Sequence, residues 1–139
     1  MTRTVTAEEA LIYTMVMASA VDSQMHDDEL GHIGTLVKSL PVFDRFDADA
    51  ILVVSQDCSA LLASDLGLDG VLELIRSSLP ETLHDTAYAL AVEVAAVDLR
   101  LTREELRLLA RLRDTLSLDK LTCAAIERSA IARYRRIPG

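Results

Sequence analysis

Residues 94–116 read VAAVDLRLTREELRLLARLRDTL, and residues 18–40 read ASAVDSQMHDDELGHIGTLVKSL. Laid over one another at an offset of 76 residues, the two stretches share a frame. Ala20-Val21-Asp22 meets Ala96-Val97-Asp98, Glu29-Leu30 meets Glu105-Leu106, and Leu36 and Leu40 meet Leu112 and Leu116. Met25 falls on Leu101, Asp28 on Glu104 and Ile33 on Leu109. In both copies the apolar residues that follow the glutamate recur at helical spacing. The frame therefore reads as a helix end, a short acidic loop and a new helix. Two copies in register, spanning about 7–40 and 82–116, predict two similar helix–loop–helix units related by an approximate two-fold axis.

Outward from the repeat, the chain keeps the helical period. Thr6-Ala7-Glu8-Glu9 is a capping-box sequence, and the apolar run behind it, to Val21, is rich enough to be buried on most sides. A second helix from near Asp27 carries Leu30, Ile33, Leu36, Val37 and Leu40 and stops at Pro41. Asp47 is the expected cap of a third helix reaching about Ala63. Gly67 then breaks the chain before a short fourth helix with Val71, Leu72 and Ile75. A fifth runs from about Glu81 to Asp98. Thr102-Arg103-Glu104-Glu105 is a second capping box and opens a sixth with Leu106, Leu109, Leu112 and Leu116. Ser117 is the expected cap of a seventh, reaching about Arg135. No stretch alternates with the two-residue period of a strand. The expectation is one all-α domain over residues 1–139, with about seven helices.

A chain of 139 residues can bury a core without disulfides or metal staples, and with half its residues hydrophobic and a quarter charged it is globular in composition. There is no Trp and there are five other aromatics, so Leu, Val, Ile, Ala and Met must fill the interior. The net charge of −8 argues against nucleic acid, whose phosphates need clustered Lys and Arg. Residues 1–80 hold 13 acids against 4 bases, whereas residues 81–139 hold 9 acids against 10 bases. Arg128, Arg133, Arg135 and Arg136 make the C-terminal end basic, either as cations favoured near a helix C-terminus or as a contact for a partner or an anionic membrane surface. Cys58 and Cys123 are isolated, which suits a reducing cytoplasm. The longest apolar stretch, Ala10 to Val21, is too short to span a bilayer, and no secretory signal opens the sequence.

Two acids in each repeat ask for a physical reason. Asp22 and Asp98 end their helices, where the macrodipole disfavours negative charge. Glu29 and Glu105 fall inside the apolar arcs of the helices they open. One explanation is local: the aspartates accept amides of the following loop, and the glutamates make the back-bond of a capping box, which suits Thr102 better than His26. The other is a ligand. Asp22 with Glu29 and Asp98 with Glu105 offer hard oxygen donors to a divalent cation. The spacing Asp22 to Glu29 equals that of positions five and twelve of a calcium-binding EF-hand loop. Yet positions one and three would be Ala18 and Ala20, then Val94 and Ala96, which cannot ligate, and the loop glycine is replaced by Ser23 and Leu99. Neither loop is an EF-hand.

On these residues the sequence resembles the TerB-like tellurite-resistance domain family, and the resemblance covers nearly the whole chain in helix order. That family is all-helical, of about this length, with an internal pseudo-two-fold repeat. Its loop motif runs from an acid, usually through a glycine, to an apolar residue and a glutamate opening the next helix. The two copies here depart from it at Ser23 and Leu99, where the glycine is expected. The resemblance implies a non-enzymatic role in the bacterial response to metal stress. It also implies divalent-metal binding by the acids, with no organic cofactor, and a protein partner or a second copy of the chain.

Other constellations stay open beside it. Glu29-Leu30-Gly31-His32 and Glu81-Thr82-Leu83-His84 both spell the Glu-x-x-His of di-iron carboxylate bundles, for which Glu73, Glu93 and Glu127 are the available further carboxylates. His26, Asp27, Asp28 and His32 surround the first loop and can add nitrogen or oxygen ligands. No nucleophile elbow, phosphate-cradling glycine loop or Ser-His-Asp arrangement is present.

Overall fold

The segment from Ala10 to Ser19 contains no charged side chain, and a helix apolar on every side is stable only in the interior. A computed structural model describes residues 4–20, 27–97 and 101–139, giving the backbone alone for residues 20 and 27–30. Every residue from Ala10 to Ser19 is buried. They belong to α1 (Ala7–Ala20), which is followed by α2 (Asp27–Ser39), α3 (Ile51–Ala63), α4 (Gly67–Ser78), α5 (His84–Ala96), α6 (Arg103–Thr115) and α7 (Lys120–Tyr134). Among the described residues there is no strand, so the all-α class stands. Short 3-10 turns at Pro41–Phe43, Ala48–Ala50 and Glu81–Leu83 fill the gaps before α3 and α5.

α5 is the second buried helix. Ala87, Tyr88, Leu90, Ala91, Val92 and Val94 through Ala96 are all inaccessible, and only Ala89 and Glu93 are half-exposed in that stretch. α1 and α5 make the most extensive helix–helix contact of the fold. Around them, α2 and α3 pack on α1, α6 and α7 pack on α5, and α4 bridges α1, α3 and α6. α2 also touches α5, and α6 touches α1. The offset of 76 carries the bounds of α2, 27 and 39, onto those of α6, 103 and 115, so both have 13 residues. Ile33 and Leu109, matched by that offset, are both buried, whereas Leu36 is only half-buried where its match Leu112 is buried, and the next residue of α2, Val37, is covered instead.

The helix ends follow the caps, with instructive exceptions. Glu9 N–H donates to Thr6 Oγ1 at 3.1 Å while Thr6 N–H donates to Glu9 Oε1 at 2.9 Å, completing the first capping box. Thr102 and Glu105 repeat it at the start of α6. Replacing Thr102 by Ala should cost about 1 kcal/mol, as lost N-caps do; urea denaturation checks this, and an unchanged midpoint would assign the end of α6 to packing alone. Asp47 accepts from Asp49 N–H at 2.9 Å and so caps the 3-10 turn that leads into α3, not α3 itself. Gly67 adopts φ +63°, the left-handed conformation in which a side chain is costly.

Ser117 corrects the sequence reading. It does not cap α7 but sits at φ +55° just past the end of α6, where it reverses the chain; Asp119 is the cap, accepting from Thr122 N–H at 2.9 Å. Leu106 is a second correction. It was expected on the core face of α6, yet it is 53% exposed, and Leu108 is buried instead.

Candidate functional site

The four acids singled out by the repeat are unequally described. Asp22 and Asp98 lie outside the described residues, and Glu29 is placed only by its backbone, as the third residue of α2. Glu105 is the third residue of α6 and is half-buried. Its Oε1 accepts the Thr102 N–H at 3.2 Å, and its own N–H donates to Thr102 Oγ1 at 3.1 Å. The local role is therefore real for this glutamate: it satisfies an orphan amide at a helix start, where the dipole favours its charge.

A polar cluster ties together the elements that flank the two loops. Glu93, in the last turn of α5, accepts the Tyr134 O–H at 2.6 Å and pairs with the Arg133 guanidinium. The Glu93 side chain is only 16% exposed, so this is a largely desolvated carboxylate. Tyr134 Oη also lies 3.5 Å from His32 Nε2, and the two rings meet edge to face with centroids 6.3 Å apart. His32 is in the second turn of α2. The end of α7 thus joins the end of α5, which leads into the second acidic loop, to the start of α2, which follows the first. Burial and the Glu93 carboxylate together push the Tyr134 phenol up to about 12.

A related contact lies nearer the start of α5. Tyr88, 1% exposed, donates to Glu127 Oε2 of α7 at 2.5 Å. Desolvation first, and the Glu127 carboxylate second, raise its phenol well above the ordinary range. Sequence reasoning passed over both tyrosines, because each finds its glutamate about 40 residues away on another helix and no local spacing announces that.

The carboxylates available to a di-iron site are held apart by these contacts. Glu127 faces Tyr88, Glu93 faces Tyr134, and Glu73 makes a two-pronged exposed pair with Arg76 of its own helix. His84 Nε2 rests 3.3 Å from the carbonyl of Leu79. Among the described residues no three His, Cys, Asp or Glu side chains gather as a metal-binding group. Cys58 and Cys123 are free and buried, and burial pushes the Cys58 thiol up to about 12, which leaves it little thiolate for nucleophilic work.

The geometry defines an all-helical domain whose two longest-buried helices each lead toward an acidic loop and whose loop-flanking elements are cross-linked through one tyrosine. The family model for tellurite resistance protein TerB matches residues 8–128, and the chain belongs to that family. No curated protein and no solved structure matches the chain. No helix of the described residues is long and apolar enough to cross a membrane.

Proposed function

We propose that this protein is a non-enzymatic, cytoplasmic module of the bacterial tellurite and metal-stress response. In this reading it binds a divalent cation through oxygen ligands from two acidic loops, Asp22 with Glu29 and Asp98 with Glu105. The observation that carries the proposal is the Tyr134 contact. It joins the last turn of α5, which precedes Asp98, to the second turn of α2, which follows Asp22. The common bounds of α2 and α6 under the 76-residue offset support a matched pair of sites about an approximate two-fold axis. Neighbouring acids at Asp27, Asp28 and Glu104 add negative potential, and water completes the shell of a hard cation.

With Ser23 and Leu99 in place of loop glycines, few ligands are fixed, and the affinity expected is in the ~10⁻⁴–10⁻³ M range of loosely built oxygen sites. Titration of the protein with calcium, magnesium and manganese, followed by calorimetry, measures it. The double substitution Asp22→Asn with Asp98→Asn should abolish binding and leave the helical circular-dichroism signal intact. Undiminished binding by that variant would remove the loops as the site.

A second reading is favoured by one observation, the Thr102–Glu105 capping box. In it the acids only end and begin helices, and the domain is a structural module for a protein partner or a second copy of itself. The melting temperature then stays unchanged on adding metal, whereas a site that binds the folded state raises it.

A further inference from the structure

Helices α5, α6 and α7 leave a cavity of about 140 Å³ between them, walled by Val92, Ala96, Leu109, Ala110 and Ile131. Its ends differ in character. Tyr88, Arg113 and Glu127 line one end. Ala96, eight residues on from Tyr88 and so about 12 Å along α5, lines the other. Leu101 and Leu106, 37% and 53% exposed, stand at this apolar end.

The polar end carries one charge of each sign, both half-buried. Glu127 uses Oε2 to accept from Tyr88. Among the described residues its Oε1 has no hydrogen-bond partner, and the Arg113 guanidinium has neither a hydrogen bond nor an ion pair. Arg113 and Glu127 therefore face the same cavity without satisfying each other. A guanidinium offers five donors and a carboxylate several lone-pair sites, so both have capacity to spare beside aliphatic walls.

We propose that this cavity binds a small zwitterion with an apolar side chain, of the chemical class of the apolar α-amino acids. The carboxylate lies on Arg113, the ammonium on Glu127 Oε1, and the side chain runs along Val92, Leu109 and Ile131. A ligand bearing both signs on one carbon bridges two charges that do not reach each other. A simple carboxylate would sit beside Glu127, and a simple amine beside Arg113, each meeting a like charge. The volume is close to that of an engineered cavity of about 150 Å³ known to take benzene, which suits side chains the size of leucine or phenylalanine. This site uses none of the loop acids, so either proposal can fail alone.

The test is an NMR titration of the full chain with L-leucine and L-phenylalanine. Shifts are expected at the methyls of Val92, Leu109 and Ile131, with a dissociation constant on the order of 10⁻³ M, as fits so small a ligand. Isovalerate and isoamylamine, which keep the apolar body and one charge each, should bind about tenfold more weakly or worse. Arg113→Met and Glu127→Gln should each weaken leucine by a similar factor. Ala110→Leu fills the cavity and should abolish the shifts with the helical signal unchanged. Equal binding of isovalerate and leucine by the wild-type protein would overturn the two-headed assignment. Undiminished leucine shifts in Ala110→Leu, or no shifts in the wild type, would overturn the cavity as a site.

Discussion

Met15→Ala is expected to lower the unfolding free energy by about 2–5 kcal/mol, the range for truncating a fully buried large side chain. Met15 is 0% exposed at the middle of α1, the helix that contacts α2, α3, α4, α5 and α6. Its side chain therefore has neighbours on several sides, and removing it opens a void that several helices would have to shift to fill. For a domain whose total stability is about 5–15 kcal/mol, the loss is a large fraction of the whole. Urea denaturation monitored by circular dichroism measures it. Leu121→Ala is the control, because Leu121 is 80% exposed and its removal should change stability by no more than about 0.5 kcal/mol. Equal effects from the two would mean that α1 is not the central helix.

Glu93→Ala is expected to cost about 1.5–3 kcal/mol, the range for a hydrogen bond to a charged group. The substitution removes the acceptor of the Tyr134 O–H and leaves that hydroxyl without its 2.6 Å partner. Most of the effect belongs to the tyrosine. Arg133 is half-exposed, and its ion pair should contribute no more than about 1 kcal/mol. Arg133→Ala therefore separates the two contributions; a larger loss from it than from Glu93→Ala would reverse their order. The cluster also has a pH signature. The Tyr134 phenol ionises near 10 in an unfolded chain and at about 12 in the folded one, so the folded state holds the proton more tightly. Its contribution to stability is complete below about pH 10 and is lost as pH rises towards about 12. Tyr134→Phe should remove that part of the alkaline destabilisation, while the part due to Cys58, which runs upward from about pH 9, remains.

The local signals in the sequence translated directly into structure. Thr6 and Thr102 each carry a glutamate three residues on, and both form capping boxes, because donor and acceptor belong to one turn of chain and need no tertiary help. The uncharged run from Ala10 to Ser19 had to be interior, since no orientation of such a helix keeps its apolar surface out of water at the surface. The 76-residue register also carried through to equal helix bounds.

The readings that missed did so where two local options were nearly equal. Ser117 and Asp119 are both acceptable caps. The choice fell to Asp119 because the chain must turn sharply after α6, and Ser117 takes the left-handed residue of that turn. Leu106 and Leu108 are both apolar, and only the direction in which α1, α4 and α5 lie relative to α6 decides which is covered.

The sequence by itself determined the all-α class, the positions of most helix ends and the two acidic loops as the residues to ask about, because each follows from hydrophobic period and capping chemistry within a few residues. Tertiary structure alone decided that Tyr134 joins α5 to α2, that Tyr88 holds Glu127, and that Arg113 is left beside a cavity without a partner. Those contacts join residues as far as 102 positions apart, and side-chain chemistry becomes legible at that separation only once helix packing has set which faces meet.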